Sequence, residues 1–179
     1  YTGELGWELH HPIEMQNYLF DLLQSAGGQF ELSLVGARAQ NWLRLEKSYR
    51  AFGTELGRDA TPFESGVSRF VDLNKDFLGK EKVRTTSNIR CVTLLIDGPE
   101  DADPWGREVI YHKDKRVGRL TSGGFSVIFN KSIGMGYIDK EYAIVGRKLT
   151  IKILDRLWQC EIVADSPYDP KNEKIRLDG

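Results

Sequence analysis

The sequence has 179 residues, of which 40% are hydrophobic and 28% are charged. A chain of this length can form one hydrophobic core of good size or two small ones. Its 25 Lys and Arg residues nearly balance its 26 Asp and Glu residues. The resulting net charge of −1 gives no general attraction to nucleic acid or to an anionic membrane surface.

Neither the cysteines nor the apolar runs indicate a secreted or membrane-spanning protein. Cys91 and Cys160 are far apart and each lies in an apolar run, which predicts buried thiols in a reducing compartment. No apolar run approaches the roughly 20 residues of a membrane-spanning helix, and no signal-like N-terminus is present. We expect a soluble intracellular protein, cytoplasmic or in the mitochondrial matrix if eukaryotic. A start at Tyr1, without an initiator Met, is typical of a piece of a longer protein.

The first ten residues carry the most informative pattern. Gly3 and Gly6 permit a tight turn or the close approach of a ligand. Glu8 lies between two apolar residues, which predicts a strand with this carboxylate on the opposite face from its neighbours. A carboxylate there, with the ring of Tyr1 as a wall, suits a flat heterocycle that donates N–H groups. On residue types alone, an exposed Glu on a half-buried strand fits better.

Two amphipathic helices are predicted in the first 50 residues. Pro12 to Gln24 has apolar residues at the three-and-four spacing of a helix with one buried stripe. The second helix is predicted from Gly36 to Ser48. In it we expect an apolar side that faces inward, Ala39, Trp42, Leu43 and Leu45, and a charged side that faces solvent, Arg44, Glu46 and Lys47.

The next segment begins with a capping box. Thr61 is followed three residues later by Glu64, so each can bond the other's backbone N–H at the start of a helix. A short helix and a strand that ends at Leu73 are predicted to follow. Asp76 is then expected to cap a further helix over residues 77–83.

The polar segment 84–88 shows no periodicity, so we place a domain boundary there, between residues 1–87 and residues 88–179. Beyond it, short apolar runs alternate with turn signals, a pattern typical of a small antiparallel barrel. The polar tail from Asp165 is expected to lie against the surface or to fray. The predicted strands are Arg90 to Ile96, Arg107 to Tyr111, Arg116 to Ser122, Ile133 to Tyr137, Lys148 to Ile153 and Trp158 to Val163.

The sequence lacks the usual motifs of metal, phosphate and covalent chemistry. His10, His11 and His112 form no metal-binding constellation. Gly123 and Gly124 lack the strand–glycine–helix context of a phosphate-binding loop, so a turn between barrel strands is predicted there. No nucleophile motif indicates covalent catalysis.

Two longer runs resemble the motifs of a known family. YTGELGWEL at residues 1–9 and LRLEKSYRAFG at residues 43–53 are similar to the aminomethyltransferase (glycine-cleavage T-protein) family. Within it, they most resemble the folate domain fused to flavin-dependent dimethylglycine and sarcosine dehydrogenases and oxidases. The resemblance implies an α+β fold: the C-terminal part of the folate-binding aminomethyltransferase α/β core, followed by a small antiparallel Greek-key β-barrel. Further matching blocks lie at residues 61–66, 77–81, 121–126 and 133–137.

The resemblance also implies the positions of folate-binding residues. By the family's motif, Tyr1 and Glu8 contact the folate, and Glu8 holds the pterin through its amino and ring N–H groups. Leu9 and His10 then lie beside the ring. Tyr49 either flanks the p-aminobenzoyl group or packs in the core. No catalytic residue is expected in this chain, because the family's Asp that positions N10 lies upstream.

The implied cofactor is tetrahydrofolate, with FAD in an upstream domain. The implied partners are folate, an N-methyl amine and the upstream domain of the same polypeptide, with no nucleic acid and no membrane. Tetrahydrofolate would capture the one-carbon unit as 5,10-methylenetetrahydrofolate. We expect the chain alone to be catalytically silent and to bind folate poorly.

The chain departs from the glycine-cleavage members at two positions. Gln40 replaces an Arg associated with the substrate cavity, and Trp42 replaces a Ser. Arg69 lies where some dehydrogenase relatives carry an aromatic residue. Three alternatives remain: a stand-alone aminomethyltransferase that acts on a lipoyl-bound group, a non-catalytic folate-binding regulator, and a module that serves only interdomain packing.

Overall fold

The computed structural model describes residues 1–83, 88–99 and 102–176. Helices and irregular segments precede a run of strands. The helices are α1 (Gln16–Gly27), α2 (Ala37–Glu46) and α3 (Lys80–Val83), with short 3-10 segments at Ile13–Met15, Gly28–Phe30, Ser68–Phe70 and Lys140–Tyr142. The strands are β1 (Ile89–Ile96), β2 (Val109–His112), β3 (Lys115–Ser126), β4 (Lys131–Asp139), β5 (Lys148–Ile153) and β6 (Arg156–Val163).

The six strands form a closed antiparallel barrel in the order β1-β4-β3-β2-β5-β6. β2, β3 and β4 follow one another as a meander and β1 lies beside β4, which is a Greek-key arrangement. The barrel closes where Thr93 of β1 pairs with Val163 of β6. Closure leaves no free sheet edge. The expected α+β fold with a C-terminal barrel is therefore confirmed.

Apolar side chains that alternate along the strands fill the barrel interior. Leu94, Ile96, Ile110 and Ile151 are fully buried in one cluster, which also contains Cys160. Burial of such side chains stabilises each strand by roughly 1.5–3 kcal/mol per residue. Cys91 is buried in a second cluster, so both cysteines are buried free thiols, as predicted.

Helix α2 packs on the outside of the barrel. Its Leu45 is fully buried in the second cluster against Cys91 of β1 and against Ile133 and Met135 of β4. This contact fixes the C-terminal end of α2 over β1 and β4. The residues that follow α2 are therefore held close to the barrel surface.

One predicted turn is wrong. Gly123 and Gly124 lie inside β3, where they pair with Gly134 and Ile133 of β4. A Cβ on Gly124 would lie 2.3 Å from Cδ1 of Trp42, so the glycine lets α2 approach the strand. The double glycine is a close-packing site rather than a chain reversal.

The capping box at Thr61 is formed, but no α-helix begins there. The N–H of Thr61 donates to Oε2 of Glu64 at 2.6 Å, and the N–H of Glu64 donates to Oγ1 of Thr61 at 3.3 Å. The chain then makes turns up to Gly66, whose φ of +76° ends any helical course. The strand expected to end at Leu73 is also absent from the described residues.

Helix α1 has the predicted period but not the predicted burial. None of its residues is buried, and Tyr18, Leu22 and Leu23 are 63%, 50% and 43% exposed. The described residues leave this apolar stripe uncovered. Residues 84–87 of the expected domain boundary lie outside the described residues, so the boundary stays a prediction. None of the described helices is both long and apolar enough to cross a membrane.

Candidate functional site

The charged residues at the end of α2 face inward. Arg44 and Glu46 are each 2% exposed and Lys47 is fully buried. The prediction that these three side chains face solvent is wrong, because each has a polar partner on another element.

Arg44 and Glu55 form the centre of this polar layer. Nη1 of Arg44 donates to Oε2 of Glu55 at 2.8 Å and to the carbonyl oxygen of Tyr49 at 3.1 Å. Oε1 of Glu55 accepts hydrogen bonds from the hydroxyls of Thr121 and Ser122 on β3. Burial raises the pKa of Glu55, but Arg44 and these hydroxyls outweigh it and hold the pKa below its ordinary value. The carboxylate therefore ties α2 to the barrel.

The next polar residues make further ties to the barrel and to the segment that follows it. Oε1 of Glu46 accepts a hydrogen bond from the hydroxyl of Ser126 at the end of β3. The hydroxyl of Ser48 lies 2.8 Å from that of Thr93 on β1. Nη2 of Arg50 donates to Asp165 at 2.8 Å. The run from Arg44 to Arg50 is thus mainly a structural clamp.

Tyr1 packs at the end of this clamp. Its ring centroid lies 5.9 Å from that of Tyr49, and its hydroxyl donates to the carbonyl oxygen of Arg50 at 3.1 Å. Burial raises the pKa of the Tyr1 phenol, and Arg44 acts in the opposite direction. Two of the predicted folate-binding residues, Tyr1 and Tyr49, are therefore brought together as one aromatic surface.

The predicted strand around Glu8 is wrong. Residues 1–10 form a bend at residues 3–4 and otherwise belong to no helix or strand. The Glu8 carboxylate lies 3.6 Å from Nε2 of His10, and these side chains are 91% and 88% exposed. Leu9 is 58% exposed. Glu8, Leu9 and His10 are thus accessible to a ligand, but they do not join the Tyr1–Tyr49 surface.

Two of the cavities along the barrel are lined in part by residues that precede it. One, of about 540 Å³, is lined by the loop 53–60 and by β3 and β4, with Glu55 in its wall. The other, of about 330 Å³, lies between Trp42 and Trp105. The guanidinium of Arg38 sits 5.7 Å from the Trp42 ring centre and 5.1 Å from that of Trp105. Neither cavity is lined by Glu8.

Sequence reasoning missed the grouping of Trp42, Trp105 and Arg38, because these residues come from separate segments of the chain. The departure at Trp42 was the available signal: a large ring on α2 needs space on the facing strand, and the glycine pair of β3 supplies it. Gln40, the other departure, is exposed on α2. Across residues 1–83, 88–99 and 102–176, no group of His, Cys, Asp and Glu side chains could hold a metal ion.

The exposed groups near the N-terminus offer a ligand two kinds of contact. An accessible carboxylate accepts paired hydrogen bonds from the amino and ring N–H groups of a pterin. The Tyr1–Tyr49 pair, which Glu8 does not join, offers an aromatic surface on which a flat ring can pack. A charged acceptor and an aromatic surface are therefore both available on this part of the chain.

Comparisons with known proteins agree with this architecture. Residues 1–75 match the family model described as the GCVT N-terminal domain, and residues 90–169 match the one described as the glycine cleavage T-protein C-terminal barrel domain. A crystal structure of glycine cleavage system aminomethyltransferase T from Bartonella henselae has the same fold, with a TM-score of 0.78 at 21% identity. The match covers 89% of this chain and 45% of that one. The chain belongs to the glycine-cleavage T-protein family of aminomethyltransferases.

Curated relatives are similar over nearly all of the chain. The sequence is 36% identical to the mitochondrial dimethylglycine dehydrogenase of Mus musculus, over 100% of this chain and 21% of that protein. It is 32% identical to an aminomethyltransferase of Desulfitobacterium hafniense, over 94% of this chain and 47% of that protein. The chain thus spans about a fifth of the first relative and just under half of the second.

Proposed function

We propose that this chain is the tetrahydrofolate-dependent one-carbon transfer domain of an N-methyl amine dehydrogenase or oxidase of the dimethylglycine or sarcosine type. In this proposal, FAD in an upstream domain of the same polypeptide oxidises the amine. Tetrahydrofolate then captures the one-carbon unit as 5,10-methylenetetrahydrofolate. Membership of the aminomethyltransferase family and similarity to the mouse dehydrogenase along the whole chain support this assignment.

The observation that carries the proposal is the position of the first residues against the end of α2. Tyr1 meets Tyr49 at 5.9 Å, while Glu8 keeps a carboxylate that is 91% exposed. The Glu8 carboxylate is not committed to a buried ion pair, in contrast to that of Glu55. Glu8 is instead accessible to an incoming ring.

The residues of this chain would bind and orient the folate rather than transfer protons. Glu8 would fix the pterin by charge-assisted hydrogen bonds, and Leu9 and His10 would lie beside it. The Tyr1–Tyr49 surface would hold the adjoining part of the molecule. Correct placement of the reacting nitrogens can supply several kcal/mol of the barrier reduction. No residue of this chain is assigned a catalytic role.

The test is Glu8→Gln in the full natural polypeptide that contains this chain, with Glu14→Gln as a matched control on the exposed first 3-10 turn. Glu8→Gln should weaken tetrahydrofolate binding about tenfold or more, because a neutral amide replaces an acceptor of charge-assisted bonds. Flavin-dependent amine oxidation should be unchanged, whereas yield of 5,10-methylenetetrahydrofolate should fall. Equal folate affinity in the two variants would reject the assignment of Glu8.

A second candidate is a stand-alone aminomethyltransferase, favoured by the 32% identity to the Desulfitobacterium protein. An assay with a lipoyl-bound aminomethyl donor separates the two, because the proposed function predicts turnover with an N-methyl amine instead. Gln40 bears on this point, since an exposed amide on α2 cannot bind a substrate carboxylate as Arg does.

The exposed stripe of α1 favours a third candidate, in which this chain serves only for packing between domains. Folate-dependent turnover that is unchanged by Glu8→Gln would favour it. Calorimetry on the isolated 179-residue chain tests the further expectation that it binds folate poorly. Micromolar tetrahydrofolate binding to the isolated chain would overturn that expectation.

A further inference from the structure

We propose that Lys47 is a positioning residue for the folate-binding segment, residues 1–8, and that it acts through residues 165–174, here called the C-terminal strap. The inference rests on the proposed function, because it assigns a role in folate binding. Its structural part, the attachment of the segment to the strap, can be measured without folate.

Lys47 is fully buried, and its side chain is satisfied by the strap. Nζ donates to the carbonyl oxygen of Asp169 at 2.6 Å and to Oδ1 of Asn172 at 2.8 Å, and it lies 3.6 Å from the Asp169 carboxylate. A buried lysine without partners would be strongly unfavourable. These contacts therefore hold the strap against the end of α2.

Further contacts of Lys47 reach the same strap. Its carbonyl oxygen accepts a hydrogen bond from the hydroxyl of Ser166 at 2.8 Å, and Nζ lies 5.9 Å from the centre of the Tyr168 ring. By contrast, the Arg44–Glu55 pair bonds to the barrel. The Arg44–Glu55 pair thus attaches α2 to the barrel, whereas Lys47 binds the strap.

The strap in turn holds the folate-binding segment. The N–H of Leu5 donates to the carbonyl oxygen of Lys174 at 3.0 Å, and the hydroxyl of Tyr168 donates to Glu4 at 2.7 Å. Both bonds attach to residues between Tyr1 and Glu8. Loss of the strap would release the chain at the bend and just after it.

Gly3 places the segment directly on the Lys47 side chain. A Cβ at Gly3 would lie 2.4 Å from Cγ of Lys47 and 2.6 Å from its Cδ, and the φ of Gly3 is +84°. The backbone at Gly3 therefore rests on the methylene groups of Lys47. The methylene groups of Lys47 contact the segment directly at Gly3, and its amino group binds the strap, which in turn binds the segment.

Tyr1, a proposed folate-binding residue, lies two residues before the contact between Gly3 and Lys47. Its hydroxyl bonds to the carbonyl of Arg50, and Arg50 bonds to Asp165 at the first residue of the strap. A displaced strap would therefore shift both the bend and the surroundings of Tyr1. We expect the cost to appear as weaker folate binding.

The experiment uses the full natural polypeptide and the variant Lys47→Met, which keeps an unbranched stem and removes the amino group. Lys152→Met is the matched control, because Lys152 is 46% exposed on β5 and pairs with nearby Asp155. Ile151→Val, in the barrel core, controls for a general loss of stability. Hydrogen exchange at the Leu5 amide and calorimetric tetrahydrofolate affinity are measured for each.

Lys47→Met should increase the hydrogen-exchange rate of the Leu5 amide about tenfold and should also weaken tetrahydrofolate binding about tenfold. Hydrogen exchange of the β1 amides should be unchanged. Both controls should match the natural protein in the two measurements. Asn172→Gly, which removes one acceptor of Nζ and suits the φ of +57° at that position, should shift both in the same direction by less. This variant decides the question if Lys47→Met does not fold.

The inference is overturned if Leu5 exchange or folate affinity in the folded Lys47 or Asn172 variant equals that of the natural protein. It is also overturned if Ile151→Val weakens binding equally, since the effect would then be general. A natural protein that does not bind tetrahydrofolate at all would refute the proposed function and the binding role of Lys47. The exchange result would still show whether Lys47 holds the segment.

Discussion

Arg44 and Glu55 form an ion pair of 2.8 Å whose side chains are only 2% and 0% exposed. They join α2 to the segment that follows it, and the hydroxyls of Thr121 and Ser122 extend the contact to β3. Because both charges are out of water, each depends on the other for compensation. The attachment of α2 to the barrel is therefore sensitive to either residue.

Arg44→Met should destabilise the protein by about 3–5 kcal/mol, because Glu55 would remain as a buried charge without its cation. Glu55→Gln should be similarly costly, and the double variant should lose less than the sum. Urea unfolding measures all three free energies. Lys115→Met, at an exposed pair with Glu141, is the control and should cost at most about 1 kcal/mol. Additive losses at Arg44 and Glu55 would contradict the coupling.

Acid should loosen the C-terminal strap through Asp169. Burial raises the pKa of this carboxyl, but hydrogen bonds from the N–H groups of Glu173 and Lys174 and the proximity of Lys47 outweigh it, so the pKa lies below its ordinary value. A lowered folded pKa stabilises the strap above the ordinary value near 3.9, and this contribution is lost as pH falls through the lower folded value. Leu5 exchange protection should therefore decline below about pH 4.

Asp169→Asn provides the comparison for this acid effect. Asn tolerates the positive φ of 43° at this position but does not titrate. Its Leu5 protection should vary less with pH across the acid range than that of the natural protein. An identical acid profile in both proteins would show that another group causes the loosening.

Both cysteines should resist alkylation while the protein is folded. Burial raises the pKa of Cys91 to about 12 and that of Cys160 to about 12, so almost no thiolate forms at pH 8. Iodoacetamide followed by mass spectrometry should show labelling of each thiol only after unfolding in urea. Stoichiometric labelling of either cysteine in the native protein at pH 8 would contradict the packing described around it.

Gly124→Ala should destabilise the protein by about 1–3 kcal/mol, because the new methyl group would overlap the Trp42 indole. Trp42→Phe combined with Gly124→Ala should recover part of the loss, since the smaller ring leaves room for the methyl group. Thermal unfolding measures both. Gly28→Ala is the control, because no atom lies within 4 Å of a Cβ there. Equal losses at positions 28 and 124 would exclude the steric explanation.

The barrel was predictable because its strands follow local rules. Alternation and turn residues placed all six strands, and residues 148–153 form β5 with the predicted limits. Helices α1 and α2 were also placed by their period. The polar residues of α2 were assigned to the wrong side, because burial of Arg44 or Lys47 depends on partners at Glu55 and Asn172 that local patterns do not reveal.

The candidate site was predictable only in part. Family resemblance indicated Tyr1 and Tyr49, and the structure brings their rings together. The strand predicted around Glu8 is wrong because alternation alone does not supply a pairing partner, and a strand needs one to satisfy its backbone. The folate roles of Tyr1, Glu8, Leu9, His10 and Tyr49 stay predictions.

The hydrogen bond from Leu5 to Lys174 joins residues close to opposite ends of the chain. Closing so large a loop has a high entropic cost until the intervening strands have brought the ends together. The first residues should therefore reach their final position late in folding, after the barrel has closed. In a refolding experiment, the proposed folate binding would then be regained only after the tryptophan fluorescence and circular dichroism signals of the barrel had recovered.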